Sequence, residues 1–215
     1  MSDTKPLMAL FGGTFDPFHR AHEWLCRQVL AQPDIAQLRL IPCQIPALKD
    51  AAQASPGQRL RMLELWVEHE PVRDDRLVID RRELDRPGPS FTFDTLVSLR
   101  EDFPDWRFVF VLGGDAFASL PRWEGIEDLI QVTHFWVFGR GDGHLNVPDL
   151  PLTECESLAE LARLDAGGWL RGAASHSHLA SSQLRNEQAD WQHSLPPIIH
   201  DYIRQHGLYR SPDRA

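Results

Sequence analysis

The chain has little of three things that would point to particular classes of protein. Its 215 residues include only three cysteines, and its 22 basic residues are outnumbered by 31 acidic ones. No apolar run approaches the roughly 20 residues that a membrane-spanning helix needs. The net charge of −9 argues against a general affinity for DNA or RNA, whose binders carry a basic face. We therefore expect neither a nucleic acid nor a membrane as a partner.

The cysteines and the N-terminus predict a cytoplasmic protein. Cys26, Cys43 and Cys155 are odd in number and lack the spacing of metal ligands, which argues against a disulfide framework and fits a reducing compartment. The opening residues MSDTKPLMALF lack the basic start and long apolar stretch of a secretion signal.

Short apolar runs alternate with amphipathic stretches, which is typical of βα units around a parallel sheet. The pattern predicts five strands, at residues 7–11, 38–42, 76–80, 107–112 and 133–139. It predicts helices at 20–30, 57–70 and 91–101, a shorter helical stretch at 123–131, and a terminal helix within 196–210 that Gly207 ends. Trp24, Trp66, Trp136 and Cys26 are expected in the core.

The stretch from Arg140 to about Gly168 is rich in Gly, Pro and Asp and predicts a loop with one short helix. We expect one α/β domain over residues 1–215, with a Rossmann-like, mostly parallel sheet, helices on both faces and a small C-terminal helical portion. The core sheet is expected within about 1–140, and the loop and helical portion within about 141–215.

An unusual stretch, FGGTFDPFHRAH, follows the first predicted strand at residues 11–22. Ligands of open α/β sheets bind beyond the carboxyl ends of the strands. Gly12 and Gly13 are expected to let the chain turn sharply there and to let an anion approach the backbone. If the next helix begins near Pro17 or Phe18, His19 and His22 share its first turn and can donate to phosphate oxygens.

Two common nucleotide-binding classes have no motif support. The stretch matches neither the GxGxxG fingerprint of dinucleotide oxidoreductases nor the GxxxxGK[ST] loop of P-loop NTPases. The SHSH run at 175–178 offers only two histidines and no third ligand at a fixed spacing, so we predict no protein metal site.

The stretch resembles the nucleotidyltransferase superfamily marked by (H/T)xGH, and within it the bacterial nicotinate mononucleotide adenylyltransferases. Further matches follow in family order along nearly the whole chain. They are RLRM at 59–62, PSFT at 89–92, GGD at 113–115, PRW ending at Trp123, ASSQLR at 180–185 and QHGLY at 205–209. The combination is specific, although each short element alone would be weak.

The resemblance implies adenylyl transfer from ATP to nicotinate mononucleotide, with Mg²⁺ on the triphosphate and few or no protein ligands for that metal. It implies that His19 and His22 are catalytic and contact the ATP phosphates. The other residues implied to bind ATP are Gly12, Gly13, Thr14, Asp16, Gly113, Asp115, Ser181, Ser182 and Arg185. Those implied to bind the mononucleotide are Lys49, Ser90, Phe91, Thr92 and Trp123.

The chain departs from the family pattern at a few positions. Ala21 stands where a glycine usually separates the two histidines, and Leu48 stands where a histidine is expected. Ala180 replaces a serine and Ser182 a threonine. These changes bear on substrate affinity and pyridine specificity more than on the phosphate chemistry.

Two other functions stay open at this point. One is adenylyl transfer to another acceptor, nicotinamide mononucleotide or phosphopantetheine. The other is a nucleotide-binding paralogue that has lost turnover, which the altered loop at Leu48 would favour and the paired histidines disfavour. The sequence also leaves open whether the chain assembles as a homo-oligomer.

Overall fold

The computed structural model describes residues 5–48, 51–69, 74–139, 141, 143–175, 184 and 191–209. Its nine strands are β1 (Leu7–Gly13), β2 (Ile35–Pro42), β3 (Ile45–Pro46), β4 (Leu77–Ile79), β5 (Pro89–Ser90), β6 (Arg107–Gly113), β7 (His134–Phe138), β8 (Thr153–Cys155) and β9 (Gly168–Arg171). Seven of them form one sheet in the order β4-β2-β1-β6-β7-β9-β8, and all of its pairs are parallel. β3 and β5 form a separate parallel pair.

Helices connect these strands, as the alternating pattern predicts. In the described residues they are α1 (Arg20–Leu30), α2 (Pro56–His69), α3 (Thr92–Asp102), α4 (Gly114–Ala118), α5 (Ile126–Leu129), α6 (Leu158–Leu161), α7 (Trp191–Ser194) and α8 (Pro197–His206), with a 3₁₀ turn at Leu120–Arg122. The predictions for α1, α2, α3 and α8 are confirmed. Gly207 ends α8 in the left-handed region, with φ 61°. The helix predicted at 123–131 is shorter than expected.

Side chains alternate between two cores because successive residues of a strand point to opposite faces of the sheet. Leu7, Ala9 and Phe11 of β1 pack in one core with residues of α1, α2 and α8. Met8 and Leu10 pack in the other with residues of α3, α4 and α5. Burial on both faces explains why β1 reads as a continuous apolar run, and the α/β fold with helices on both faces is confirmed.

The sheet extends past residue 140, where the sequence predicts only a loop and one short helix. β8 and β9 add two strands on the far side of β7, so the sheet has seven strands where five are predicted. Both strands are short and lack a run of apolar residues. Thr153 and Glu154 of β8 are exposed, and β9 begins with a glycine. β9 pairs with β7, and β8 pairs with β9, so each short strand is held by its neighbour in the sheet although its own composition does not predict a strand.

The core assignments of single residues agree with the structure. All three cysteines are buried, and none of them is in a disulfide. Trp66 and Trp136 are buried, and Trp24 packs against the same core. Within the described ranges no helix is both long enough and apolar enough to cross a bilayer.

His134 introduces a titratable ring into the interior. Its side chain is 1% exposed at the start of β7, and its Nδ1 accepts a hydrogen bond from the backbone N–H of Gly168 at 3.2 Å. Burial, with Arg107 contributing, lowers the pKa of His134 to about 4. The folded chain therefore holds this imidazole neutral, whereas the unfolded chain protonates it below about pH 6.5.

We predict that this ring destabilises the fold in acid. Above about pH 6.5 the ring is neutral in both the folded and the unfolded chain, so the pH has no effect through it. Between about pH 6.5 and 4 the unfolding free energy falls by about 1.4 kcal/mol for each pH unit of acidification. His134→Asn keeps an acceptor for Gly168 and removes the titration. Between pH 7.5 and 5 the wild type should lose about 2 kcal/mol more unfolding free energy than this variant, measured by urea denaturation. Equal losses in the two proteins would contradict the assignment.

Candidate active site

The strand order places a crevice at the centre of the sheet. From β1 the chain proceeds to β2 on one side, and later returns to β6 on the other side of β1. Loops leaving the carboxyl ends of β1 and β6 therefore run in opposite directions, which is the place where open α/β sheets bind ligands. Gly13 and Gly113 end these two strands.

Gly12 and Gly13 lie inside β1, paired with Ile41 and Pro42, and do not form the predicted turn. They are needed for close packing. A Cβ atom on Gly12 would lie 3.0 Å from the Phe110 ring, and one on Gly13 would lie 3.1 Å from the Phe15 ring. The chain turns at Phe15, whose φ is 50°. We call residues 14–19, between β1 and α1, the histidine loop.

The two histidines come together as predicted, in a slightly different register. α1 begins at Arg20, so His19 is its N-cap residue and His22 the third residue of its first turn. The imidazoles stack with centroids 3.7 Å apart and planes 16° apart. The backbone N–H of His19 donates to Nδ1 of His22 at 3.3 Å, which places the proton of a neutral His22 ring on Nε2.

The surroundings of the two rings differ. His19 is 2% exposed, whereas His22 is partly exposed. Phe15 and Phe18 flank His22 at centroid distances of 5.2 and 5.4 Å. His22 is thus the ring of the pair that is more open to a ligand at the N-terminus of α1, where the helix dipole favours an anion.

Asp16 holds the histidine loop in place. Its carboxylate is 1% exposed and accepts hydrogen bonds from the backbone N–H groups of Gln53 and Ala54 at 2.8 and 3.0 Å. It accepts a third from the Tyr209 hydroxyl at 2.7 Å. These bonds tie the loop to the segment before α2 and to Tyr209, three residues past the end of α8.

Arg59 is a positioning residue for which the sequence analysis proposed no role. It is 0% exposed and lies on α2. Its guanidinium donates to the carbonyl oxygens of Thr14 at 2.7 Å, Cys43 at 2.7 Å and Gln44 at 3.0 Å. The sequence could have predicted its burial. Arg59 stands three, four and seven residues before Met62, Leu63 and Trp66, so it lies on the apolar face of the same helix.

The segment implied to bind the mononucleotide joins the same network. Ser90 ends β5, and its hydroxyl accepts a hydrogen bond from the Gln44 N–H at 2.9 Å. Phe91 is the N-cap residue of α3, and Thr92 begins that helix. Arg59 therefore connects the histidine loop, through Gln44, to the start of α3.

Glu83 lies behind this segment and was also missed. It is 7% exposed, and the Thr95 hydroxyl donates to its carboxylate at 2.7 Å. Burial raises the pKa of Glu83, although hydrogen bonds from Thr95 and Ser90 oppose that effect. No sequence motif distinguished this glutamate from the charged residues around it.

Trp123 follows the 3₁₀ turn after α4. Its ring is partly exposed, packs edge-on against Phe110 at 5.7 Å, and donates its N–H to the Ser119 hydroxyl at 3.1 Å. Phe110 in turn fills the space beside Gly12. On the other side, Phe93 of α3 packs against Gly125. Through Phe110, Trp123 thus adjoins the end of β1, and Phe110 is a contact residue for which the sequence predicted no role.

The remaining site residues divide into described and undescribed ones. Gly113 is the N-cap residue of α4, and Asp115 lies exposed in its first turn, at the end of β6. Leu48, at one departure from the family pattern, is 54% exposed. Lys49, Ser181, Ser182 and Arg185 lie outside the described residues.

Comparison with known proteins identifies the family. Residues 10–187 match the model of the cytidylyltransferase-like family, a span that includes the histidine loop, Arg59, Trp123 and the SSQLR motif. The chain belongs to the cytidylyltransferase-like family.

Curated relatives of the family match over almost their full length. A protein of Aeromonas salmonicida (strain A449) named "Probable nicotinate-nucleotide adenylyltransferase" is 36% identical over 218 residues, which cover 96% of this chain and 99% of that protein. A protein of the same name from Listeria monocytogenes is 31% identical, covering 95% of this chain and 98% of that one.

A solved structure shares the fold. It is the Plasmodium falciparum nicotinic acid mononucleotide adenylyltransferase complexed with NaAD, with a TM-score of 0.74 and 19% identity over 94% of this chain and 97% of that chain. A second structure of that enzyme, complexed with APC, has a TM-score of 0.74 and 19% identity over 95% of this chain and 97% of that chain. The likeness shows that the described part of the chain shares the fold of that enzyme.

We predict that Arg59 is essential to the arrangement of the loops. Arg59→Met leaves three carbonyl oxygens without their donor and should lower the unfolding free energy by about 3 kcal/mol or more. The control is Arg61→Met on the same helix, since Arg61 forms only exposed ion pairs with Glu64 and Glu68. Urea denaturation compares the two variants. A stability for Arg59→Met equal to that of Arg61→Met would show that these bonds contribute little.

Proposed function

We propose that the chain transfers the adenylyl group of ATP to nicotinate mononucleotide, forming deamido-NAD and pyrophosphate in NAD biosynthesis. The observation that carries the proposal is the stacked pair His19 and His22 at the start of α1, beside the carboxyl end of β1. Full-length relatives named nicotinate-nucleotide adenylyltransferase support the choice of acceptor.

The reaction requires little from the protein in the way of covalent chemistry. The 5′-phosphate oxygen of the mononucleotide attacks the α-phosphorus of ATP, a new P–O bond forms, and the bond from that phosphorus to the bridging oxygen breaks. The electron pair leaves with pyrophosphate. Because the attacking phosphate is already a nucleophile, the site acts by aligning the groups and stabilising negative charge.

His22 is the residue that we assign to the reacting phosphate. With Nδ1 occupied by the His19 N–H, its Nε2 carries the proton that can be donated to a phosphate oxygen. The N-terminus of α1 adds the partial positive charge of the helix dipole. These local groups oppose the field of a chain whose net charge is −9.

The two substrates are proposed to occupy adjoining subsites. ATP takes the side of the histidine loop and of Gly12 and Gly13, with its ribose at Gly113 and Asp115, and Ser181, Ser182 and Arg185 on its phosphates. The mononucleotide takes the side of Trp123, Lys49 and the 90–92 segment, where free backbone N–H groups at the start of α3 suit a carboxylate. The packing of Phe110 between Gly12 and Trp123 supports this division.

Mg²⁺ is the proposed cofactor, carried by the triphosphate. Among the described residues no group of three or more His, Cys, Asp or Glu side chains is placed to hold a metal ion. Asp16 is buried and engaged by three donors. Because Asp16 is engaged in this way, an ion held by phosphates and water, as Mg²⁺ prefers, fits the site. Bound there, Mg²⁺ would neutralise charge on the triphosphate and orient the leaving pyrophosphate.

The proposed place of action is the cytoplasm, because three buried cysteines without a disulfide fit a reducing compartment. The substrates are the proposed partners, and a homo-oligomer stays an open alternative. Retention of both histidines in a stacked arrangement favours an active enzyme over a paralogue that only binds nucleotides.

We predict that pyrophosphate release from ATP and Mg²⁺ depends on the acceptor. Nicotinate mononucleotide should give the highest kcat/KM, and nicotinamide mononucleotide and phosphopantetheine should give lower values in a coupled pyrophosphate assay. A preference for either of the latter would reassign the acceptor. Absence of release with all three, despite measurable ATP binding, would establish the non-catalytic alternative.

His22 offers a sharper test of the chemistry. We expect His22→Asn and His22→Ala to lower kcat by about 10²-fold, because each removes a donor to the transition state. Asn keeps an acceptor for the His19 N–H, so its thermal stability should stay near that of the wild type. His69→Ala, at the exposed end of α2, is the control. Near-normal turnover by His22→Asn would mean that the ring serves only to cap the helix.

A further inference from the structure

The last described residue of the chain reaches the histidine loop. Tyr209 is 8% exposed, and its hydroxyl donates to Asp16 at 2.7 Å across 193 positions of sequence. A hydroxyl that donates to a buried carboxylate forms a charge-assisted hydrogen bond, which is stronger than one between neutral groups. The sequence motif QHGLY contains this tyrosine, but the function proposed above gives it no role.

The backbone is shaped to bring the ring there. Gly207 has φ 61° and Tyr209 has φ 58°, so the chain reverses after α8 and folds back on the core. The Leu208 N–H donates to the Ile203 carbonyl in this reversal. A non-glycine residue in the left-handed region costs about 1 kcal/mol or more. Tyr209 adopts this unfavourable backbone conformation, and the conformation directs its side chain to Asp16.

A second contact extends the connection from Tyr209 to the segment of the SSQLR motif. The Trp191 ring packs edge-on against Tyr209, with centroids 5.8 Å apart and planes at 70°. The indole N–H of Trp191 donates to the Leu184 carbonyl at 2.7 Å. Leu184 is buried and stands next to Arg185 in the sequence. Asp16, Tyr209, Trp191 and Leu184 therefore form a continuous line of contacts.

We propose that Tyr209 is a positioning residue for adenylyl transfer, which through Asp16 holds the histidine loop, and through Trp191 holds Leu184, in one fixed arrangement. The inference rests on the proposed function, in which the histidine loop and the SSQLR motif that contains Leu184 are proposed to contact the same triphosphate. A bound triphosphate held from two sides requires both sides in register at the transition state. Displacement of one side affects alignment of the α-phosphate more than ground-state binding.

The test replaces one hydroxyl group. Tyr209→Phe removes the bond to Asp16 and keeps the ring that packs on Trp191. Tyr202→Phe is the matched control, because Tyr202 is the only other tyrosine of the chain, lies on α8, and packs on His206. We expect Tyr209→Phe to lower kcat about tenfold with a smaller change in KM for ATP, and Tyr202→Phe to leave both constants unchanged.

A double-mutant cycle identifies the route of the effect. Asp16→Asn should lower kcat by itself, and adding Tyr209→Phe to it should cause little further loss, since the two groups act through one bond. Independent, multiplying losses would overturn the route through Asp16. A Tyr209→Phe enzyme with lower thermal stability but normal kcat below its unfolding transition would show a purely structural hydroxyl and overturn the proposal.

Hydrogen–deuterium exchange separates failure of this inference from failure of the proposed function. Tyr209→Phe should speed exchange in peptides that contain residues 14–19 and 53–54 and in the peptide around Leu184, whereas Tyr202→Phe should not. Unchanged exchange in those peptides would overturn the coupling even in an active enzyme. Faster exchange in Tyr209→Phe, together with a wild-type chain that shows no turnover with any acceptor, would leave the coupling intact and refute the catalytic assignment alone.

Discussion

The buried carboxylate of Asp16 is the group on which the arrangement of the site depends. A carboxylate without water is costly unless several donors surround it. Asp16 meets this requirement by accepting hydrogen bonds from the segment before α2 and from Tyr209 after α8. Its need for partners therefore joins three distant parts of the chain around the histidine loop.

Arg59 is a buried cation close to Asp16, and it donates hydrogen bonds where Asp16 accepts them. The two terminal nitrogens of its buried guanidinium donate to backbone carbonyls of the histidine loop and of the segment after β2. Loops at the end of a sheet carry many backbone groups that the sheet itself does not pair. One buried anion and one buried cation supply partners to these groups, and they hold the loops ready for a ligand that brings strong negative charge.

The sheet supplies the other condition for function. β1 lies between β2 and β6, and the two glycines at its end allow Phe15 and Phe110 to pack against the strand. Those rings shape the space beside His22 and Trp123. A chain of strongly negative net charge can thus present a local anion site, because the imidazoles and the helix N-terminus act at short range whereas distant charges are screened.

The sequence by itself determined the central strands, the long helices and the pairing of His19 with His22, because each depends on a local period or on spacing within one turn. Only the tertiary structure decided the short strands β8 and β9, whose order comes from the neighbouring strand and not from their composition. It also decided the partners of Asp16, Arg59, Glu83 and Tyr209. The reason is that burial and long-range hydrogen bonding are properties of the assembled chain, so a charged residue on a surface and one in the interior look alike until the strands and helices are in place.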